Sequence, residues 1–281
     1  MKEIMKVATR VLLIIIILVC LNLIRRVFIA ERFVVPSFSM APTLVPGDRI
    51  WVNKTLMGPR IYKSLDFDSK KLNSFRIPGI RKVKVGDIIV FNYPHGYDNL
   101  SKIEFKINYV YCKRVVGCPG DRIGVVDGHC WNSRINRPIG VVENQEYFRW
   151  MNDTILRQWG SWYTFVYDVP ELDWNSKNMG PIVVPKKGET VKLDKVTKAL
   201  YEQVIKYEGG LESDDQTEYT FKSDWYWGMG DNSAFSFDSR FWGFIPEDYI
   251  IGIVGRKKVH NRSSNQAEKN NEQSDSNEKT P

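Results

Sequence analysis

The first pattern along the chain is an aliphatic run, Val11-Leu12-Leu13-Ile14-Ile15-Ile16-Ile17-Leu18-Val19-Cys20-Leu21-Asn22-Leu23-Ile24. As a helix rising about 1.5 Å per residue it covers only about 21 Å, against a hydrocarbon core of about 30 Å. Arg10, Arg25 and Arg26 can snorkel and lengthen the usable segment to Met5–Phe28. A cleaved leader is the rival reading, and it needs small residues before its cut. The best cut, after Ala30, has the bulky Phe28 as the third residue back. An uncleaved membrane anchor over residues 11–28 is therefore expected.

Beyond the anchor the period changes to alternation. Pro46-Gly47-Asp48-Arg49-Ile50 is a turn leading into a half-buried strand through Val52, and Pro119-Gly120-Asp121-Arg122-Ile123 repeats it residue for residue. Val85-Gly86-Asp87-Ile88-Ile89 is a looser copy that continues into Val90 and Phe91. Asp127-Gly128 is a hairpin turn between Val125-Val126 and Cys130-Trp131. Tyr109 to Gly117 reads as a strand, as do Ile182 to Val184 and Ile250 to Val254. One helix is expected at about 194–207, with Val196, Leu200 and Val204 on one face and Gly209-Gly210 ending it. Residues 55–84 read as a basic, irregular surface loop, and residues 261–281 as a disordered polar tail. The predicted fold is mainly β: an antiparallel β-sheet body, one N-terminal transmembrane helix and an inserted α+β subdomain. The predicted partition is 1–10 for a short N-terminus, 11–28 for the anchor, 29–140 and 226–260 for the β-rich body, 141–225 for the insert and 261–281 for the tail.

Composition changes this picture little. The 281 residues are 43% hydrophobic and 13% aromatic, enough for an ample core. The formal charge of +7 is spread along the chain with no dense basic run, so no nucleic-acid partner is expected and an anionic membrane surface is the most it implies. The four cysteines contain no CxxC pair and no zinc pattern. A Cys118–Cys130 disulfide and buried free thiols both stay open.

Candidate chemistry begins at Ser39, in Pro36-Ser37-Phe38-Ser39-Met40-Ala41-Pro42-Thr43-Leu44. A serine hydroxyl needs a base to take its proton and a donor to hold the oxyanion. His95, His129 and His260 are available, but no spacing joins them to Ser39. Lys113 lies on a predicted strand and shares a face with Tyr111 and Val115, while Arg114 points the other way. To act as a base a lysine must fall from about 10.4 towards about 7–8, which takes roughly 3–5 kcal/mol of differential destabilisation. Burial supplies shifts of that size. A snorkelling edge-strand lysine is the alternative.

Four segments in order extend the case: Ser37 to Leu44 with Gly47-Asp48; Gly86 to Phe91; Lys113 to Gly117 with Pro119-Gly120-Asp121; and Gly230-Asp231-Asn232, Ser236, Asp238-Ser239-Arg240, Trp242-Gly243 and Pro246. Together they resemble the bacterial type I signal peptidases, membrane-anchored Ser-Lys endopeptidases that remove signal peptides from exported proteins. The match leaves residues 141–225 uncovered. The resemblance implies that Ser39 is the nucleophile and Lys113 the general base. Ser37 becomes an oxyanion donor and Ser236 orients the Lys113 amine. Asp231, Asp238 and Arg240 become structural support, and Ile88, Ile89, Val90 and Phe91 a strand along which an extended substrate lies. It implies cleavage after small-x-small sites through an acyl-enzyme, with no metal or cofactor. The implied partners are signal peptides of exported preproteins, membrane lipid and the secretion translocon. The implied place is the cell (inner) membrane, single-pass, with the N-terminus cytoplasmic and the catalytic domain outside. A narrower Ser-Lys processing peptidase and an inactive membrane-anchored binding homologue are the alternatives.

Overall fold

The computed structural model describes residues 1–258 except 65, 67–69, 97–99, 101, 166–168 and 214. The polar tail at 261–281 and His260 lie outside the described residues. The chain opens with helix α1 (Lys2–Ile24), which passes through a π-helical turn (Arg25–Ile29) into strand β1 (Ala30–Val34). Then come β2 (Arg49–Asn53), β3 (Arg60–Tyr62), β4 (Ser74–Arg76), β5 (Ile88–Asn92), β6 (Val110–Gly117), β7 (Arg122–Val126) and β8 (His129–Asn132). Helices α2 (Val142–Trp150) and α3 (Asp153–Gln158) precede β9 (Met179–Val183), β10 (Thr190–Lys192), α4 (Lys195–Tyr207) and β11 (Glu218–Thr220). The described chain ends with β12 (Trp225–Met229), α5 (Ser239–Trp242), β13 (Ile245–Pro246) and β14 (Ile250–Lys258).

Seven strands form one antiparallel sheet in the order β1-β2-β14-β5-β6-β12-β13. A second sheet has the order β8-β7-β9, and β3-β4 and β10-β11 are hairpins. The fold is thus mainly antiparallel β with one N-terminal apolar helix, as the alternation predicts. The repeated turns share one device. In each, the aspartate amide closes the turn onto the carbonyl three residues back: Asp48 to Val45, Asp87 to Lys84, Asp121 to Cys118. Each aspartate carboxylate then accepts that residue's own N–H, at 2.8, 2.9 and 2.9 Å. Gly47, at φ 90°, supplies the backbone that a side chain resists.

The unbroken apolar run Ile88 to Phe91 suits a strand buried on both faces. Ile89 and Phe91 pack with Val115, Tyr226 and Ile250, while Val90 packs on the other side with Met40, Ile50 and Val52. Each such buried side chain contributes about 1.5–3 kcal/mol. Residues 141–225 share the body's core: β9 pairs with β7, and Ile182, Leu200 and Val204 pack with Ile123, Val125 and Trp227.

Two expectations change. Residues 55–84 do not form a purely irregular surface loop, because they hold the β3–β4 hairpin. Arg60 turns inward and donates to Asp248 O and Asn92 Oδ1 at 2.9 and 2.8 Å. Arg76 likewise donates to the carbonyls of Gly58 and Ile250. Charge alone suggests a solvated loop, but a planar guanidinium can satisfy several buried carbonyls at once. Short helices α2 and α3 also appear where no helix is legible, because α2 buries only Gln145 and Phe148 and leaves no apolar stripe.

Candidate active site

Ser39 sits in the turn after β1, and Lys113 sits in mid-β6, where Ile89 is its partner across the ladder. Lys113 is 3% exposed. Its Nζ donates to Ser39 Oγ at 2.9 Å and to Ser236 Oγ at 3.1 Å. Ser37 Oγ lies 3.3 Å from Ser39 Oγ at the exposed side of the turn. Burial pushes the Lys113 ammonium down to about 8, although the nearby Asp238 carboxylate works against the shift. Three segments far apart in sequence, at 37–39, 113 and 236, thus meet around the Ser39–Lys113 pair.

Buried salt bridges surround this cluster. Arg114 points away from Lys113, as strand alternation requires, and forks onto both oxygens of Asp231 at 2.6 Å. Thr43 also donates to Asp231. Asp238 and Arg240 are fully buried and paired at 2.9 Å, and Asp238 Oδ2 accepts the Gly230 N–H at 3.0 Å. Burial by itself would raise the Asp238 carboxyl, but Arg240 and then Lys113 hold it below the usual carboxylate range. It therefore stays an anion under the site.

The nucleophile turn is tied to the Asp231–Ser236 loop by two amides, Asn232 of the fourth sequence segment and Asn144, which sequence reasoning did not single out. Asn232 donates from its backbone to Ser39 O and from its side chain to Phe38 O, both at 3.1 Å. Asn144 of α2 reaches Ala41 O at 2.9 Å and Asp231 O at 2.7 Å. Nothing in the pattern around Asn144 marks it, since it belongs to a helix without an apolar stripe. Gly230 is needed for the close approach itself: a Cβ there would lie 2.1 Å from Ser236 Oγ and 2.4 Å from Ser39 O.

The two described histidines are engaged elsewhere. His95 is buried between Trp242 O and Lys102 O, and burial lowers it to about 4. His129 meets Glu146 and Asp127 O. All four cysteines are free thiols.

A groove of about 400 Å³ opens beside Ser39, walled by Phe33, Val34, Val35 and Pro36 on one side and Val110, Tyr111 and Cys112 on the other. Here the expectation for Ile88, Ile89, Val90 and Phe91 needs correction. Strand β5 is hydrogen-bonded to β14 along one edge and to β6 along the other. A strand with both edges used cannot accept a further one. β6 can, because among the described residues β12 pairs only with Arg114, Val115 and Gly117, and no strand pairs with the Val110–Lys113 half on that side.

The family model described as signal peptidase, peptidase S26, matches residues 8–257. The signal peptidase I of Buchnera aphidicola subsp. Baizongia pistaciae is 30% identical over 250 residues, covering 82% of this chain and 69% of that protein. The signal peptidase I of Pseudomonas aeruginosa is 29% identical over 239 residues, covering 84% and 64%. A solved signal peptidase I from Enterococcus faecalis shares 16% identity over 62% of this chain and 97% of its own, at a TM-score of 0.29. The chain belongs to the S26 signal peptidase family, the signal peptidase I hydrolases that remove signal peptides.

Proposed function

We propose that the chain is a membrane-anchored serine endopeptidase working through a Ser39–Lys113 dyad. The observation that carries this reading is the 2.9 Å contact from a buried lysine amine to Ser39 Oγ. With its pKa near 8, Lys113 is partly neutral at ordinary pH and can accept a proton. Neutral Lys113, held by Ser236, takes the Ser39 proton as Oγ attacks the scissile carbonyl. The oxyanion is held by the Ser37 hydroxyl and the Ser39 backbone N–H. Lys113 passes the proton to the leaving amine, an acyl-enzyme forms, and Lys113 then activates water to release it. Asp231, Asp238 and Arg240 hold the loop that carries Ser236.

The segment before the cut is proposed to lie extended between Val34–Pro36 and the open half of β6, adding a strand to Val110–Lys113. Side chains of that segment face Met40, Ile50, Val90 and Cys112. Met40, Ile50 and Val90 are almost fully buried in packed surroundings, so the pockets are shallow and favour small residues.

The helix Lys2–Ile29 has 28 residues, about 42 Å at 1.5 Å each, and none of its apolar window is buried against the body. That supports a single membrane span; the proposed reading places the N-terminus in the cytoplasm and the β body outside, near the embedded signal peptides of exported preproteins and the translocon that delivers them. The test is cleavage by the purified full chain of two peptides differing only before the cut, Ala-x-Ala against Leu-x-Ala. Cutting of the first and not the second is expected. Equal cutting of both overturns the specificity, and cutting of neither overturns the peptidase reading.

A further inference from the structure

A second groove, of about 610 Å³, lies between the end of the N-terminal helix and the β body. Its apolar wall includes Leu23 and Val27 from the helix and Ile107 from the turn before β6. It shares the wall residues Phe33 and Val110 with the groove beside Ser39, so the two lie side by side. Residue numbers along both walls of the first groove rise towards Ser39 and Lys113. The shared end is therefore the end remote from the dyad and nearest the anchor.

The second groove has a surplus of positive charge: Arg26, Lys54 and Arg60 face one carboxylate, Glu31. Arg60 is committed to Asp248 O, Tyr62 and Asn92. Arg26 and Lys54 are not exhausted. Among the described residues Lys54 Nζ donates to Arg26 O at 2.7 Å and to Glu31 at 2.8 Å, while Arg26 donates one bond to Glu31 at 2.9 Å. An ammonium has three protons and a guanidinium five.

Resting on the peptidase reading above, we propose that this second groove receives the C-terminal end of the signal peptide's apolar membrane helix, whose last carbonyls are met by Arg26 and Lys54. A substrate extended at the cut must leave its helix just upstream. That helix end carries four unpaired carbonyls and a partial negative charge, at the membrane boundary where few partners exist. Leu23 and Val27 offer its side chains an apolar surface, and the cations complete its end. An anionic lipid headgroup is the competing occupant. It accounts for the cations but not for the groove's place beside the first, at the end remote from the dyad.

The test uses the full chain in vesicles of phosphatidylcholine and phosphatidylglycerol. Two substrates share one Ala-x-Ala site: a preprotein with its whole apolar helix, and a soluble peptide that begins five residues before the cut. The readout is the ratio of kcat/KM for the long substrate to that for the short one. Asn108→Trp, which fills the second groove from an exposed turn, and the double change Arg26→Gln with Lys54→Gln are each expected to lower the ratio about tenfold. An unchanged ratio in both variants, with the short peptide still cut, overturns the proposal alone. So does an effect of the double change that vanishes in phosphatidylcholine vesicles, which assigns the cations to a lipid headgroup. A wild-type chain that cuts neither substrate overturns the peptidase reading and this proposal with it.

Discussion

Lys113 Nζ lies 2.9 Å from Ser39 Oγ across a separation of 74 residues, and only the packing of β6 against the turn after β1 makes that contact possible. If the pair acts as a dyad, neither member can substitute for the other. Ser39→Ala and Lys113→Ala are each expected to lower kcat at least about 10³-fold on an Ala-x-Ala peptide, with circular dichroism unchanged. Full activity in either variant removes the dyad.

The state of Lys113 also sets a pH profile. Its pKa is lowered from 10.5 to about 8, and the active form is the neutral amine. Activity should therefore rise with pH through an apparent pKa near 8 and fall in acid. The stability effect follows from the same shift. Below pH 8 both folded and unfolded chains hold the proton, and the fold carries the full cost of burying the ammonium. Between pH 8 and 10.5 only the unfolded chain holds it, so stability rises with pH. Lys113→Met should thus be more stable than wild type at pH 7, by up to about 3 kcal/mol, with the gain fading towards pH 10.5. Denaturation midpoints at pH 7 and pH 10 measure it.

Asn144 joins the nucleophile turn to the Asp231 loop through Ala41 O and Asp231 O. Removing the amide leaves two carbonyls without this partner, a loss of about 1–3 kcal/mol. Asn144→Ala is expected to lower kcat about tenfold with little change in KM, since the turn moves relative to Lys113 while the groove walls stay. A change confined to KM contradicts this role.

Gly230→Ala should be more damaging than its single methyl suggests. The added carbon meets Ser236 Oγ and Ser39 O at once. Displacing either by about 1 Å costs on the order of 100-fold in rate. Kinetics of this variant, beside its urea midpoint, distinguish misplacement from unfolding.

Much of the site is legible one residue at a time because its determinants are local. Turn chemistry is local: a Pro-Gly-Asp step closes on itself through the aspartate, whatever surrounds it. Strand alternation is local too, and it places Lys113 and Arg114 on opposite faces before any partner is known. The helix at Lys195–Tyr207 carries its own apolar face and a capping box from Asp194 to Thr197.

The rest depends on partners distant in the chain. Ile88 to Phe91 looks available to a substrate until β14, from the far end of the described residues, occupies its second edge. Asn144 and the inward-turned Arg60 gain their roles only from carbonyls 32 to 188 residues away that no local pattern announces. The sequence by itself determined the apolar helix, the turn-and-strand body and the chemical identity of the serine and the lysine, because those follow from side-chain type and short-range period. The tertiary structure decided which strand edge stays open, which amides hold the nucleophile turn and how far the lysine is buried. Those depend on long-range pairing, desolvation and close approach, which arise only when distant segments exclude water together.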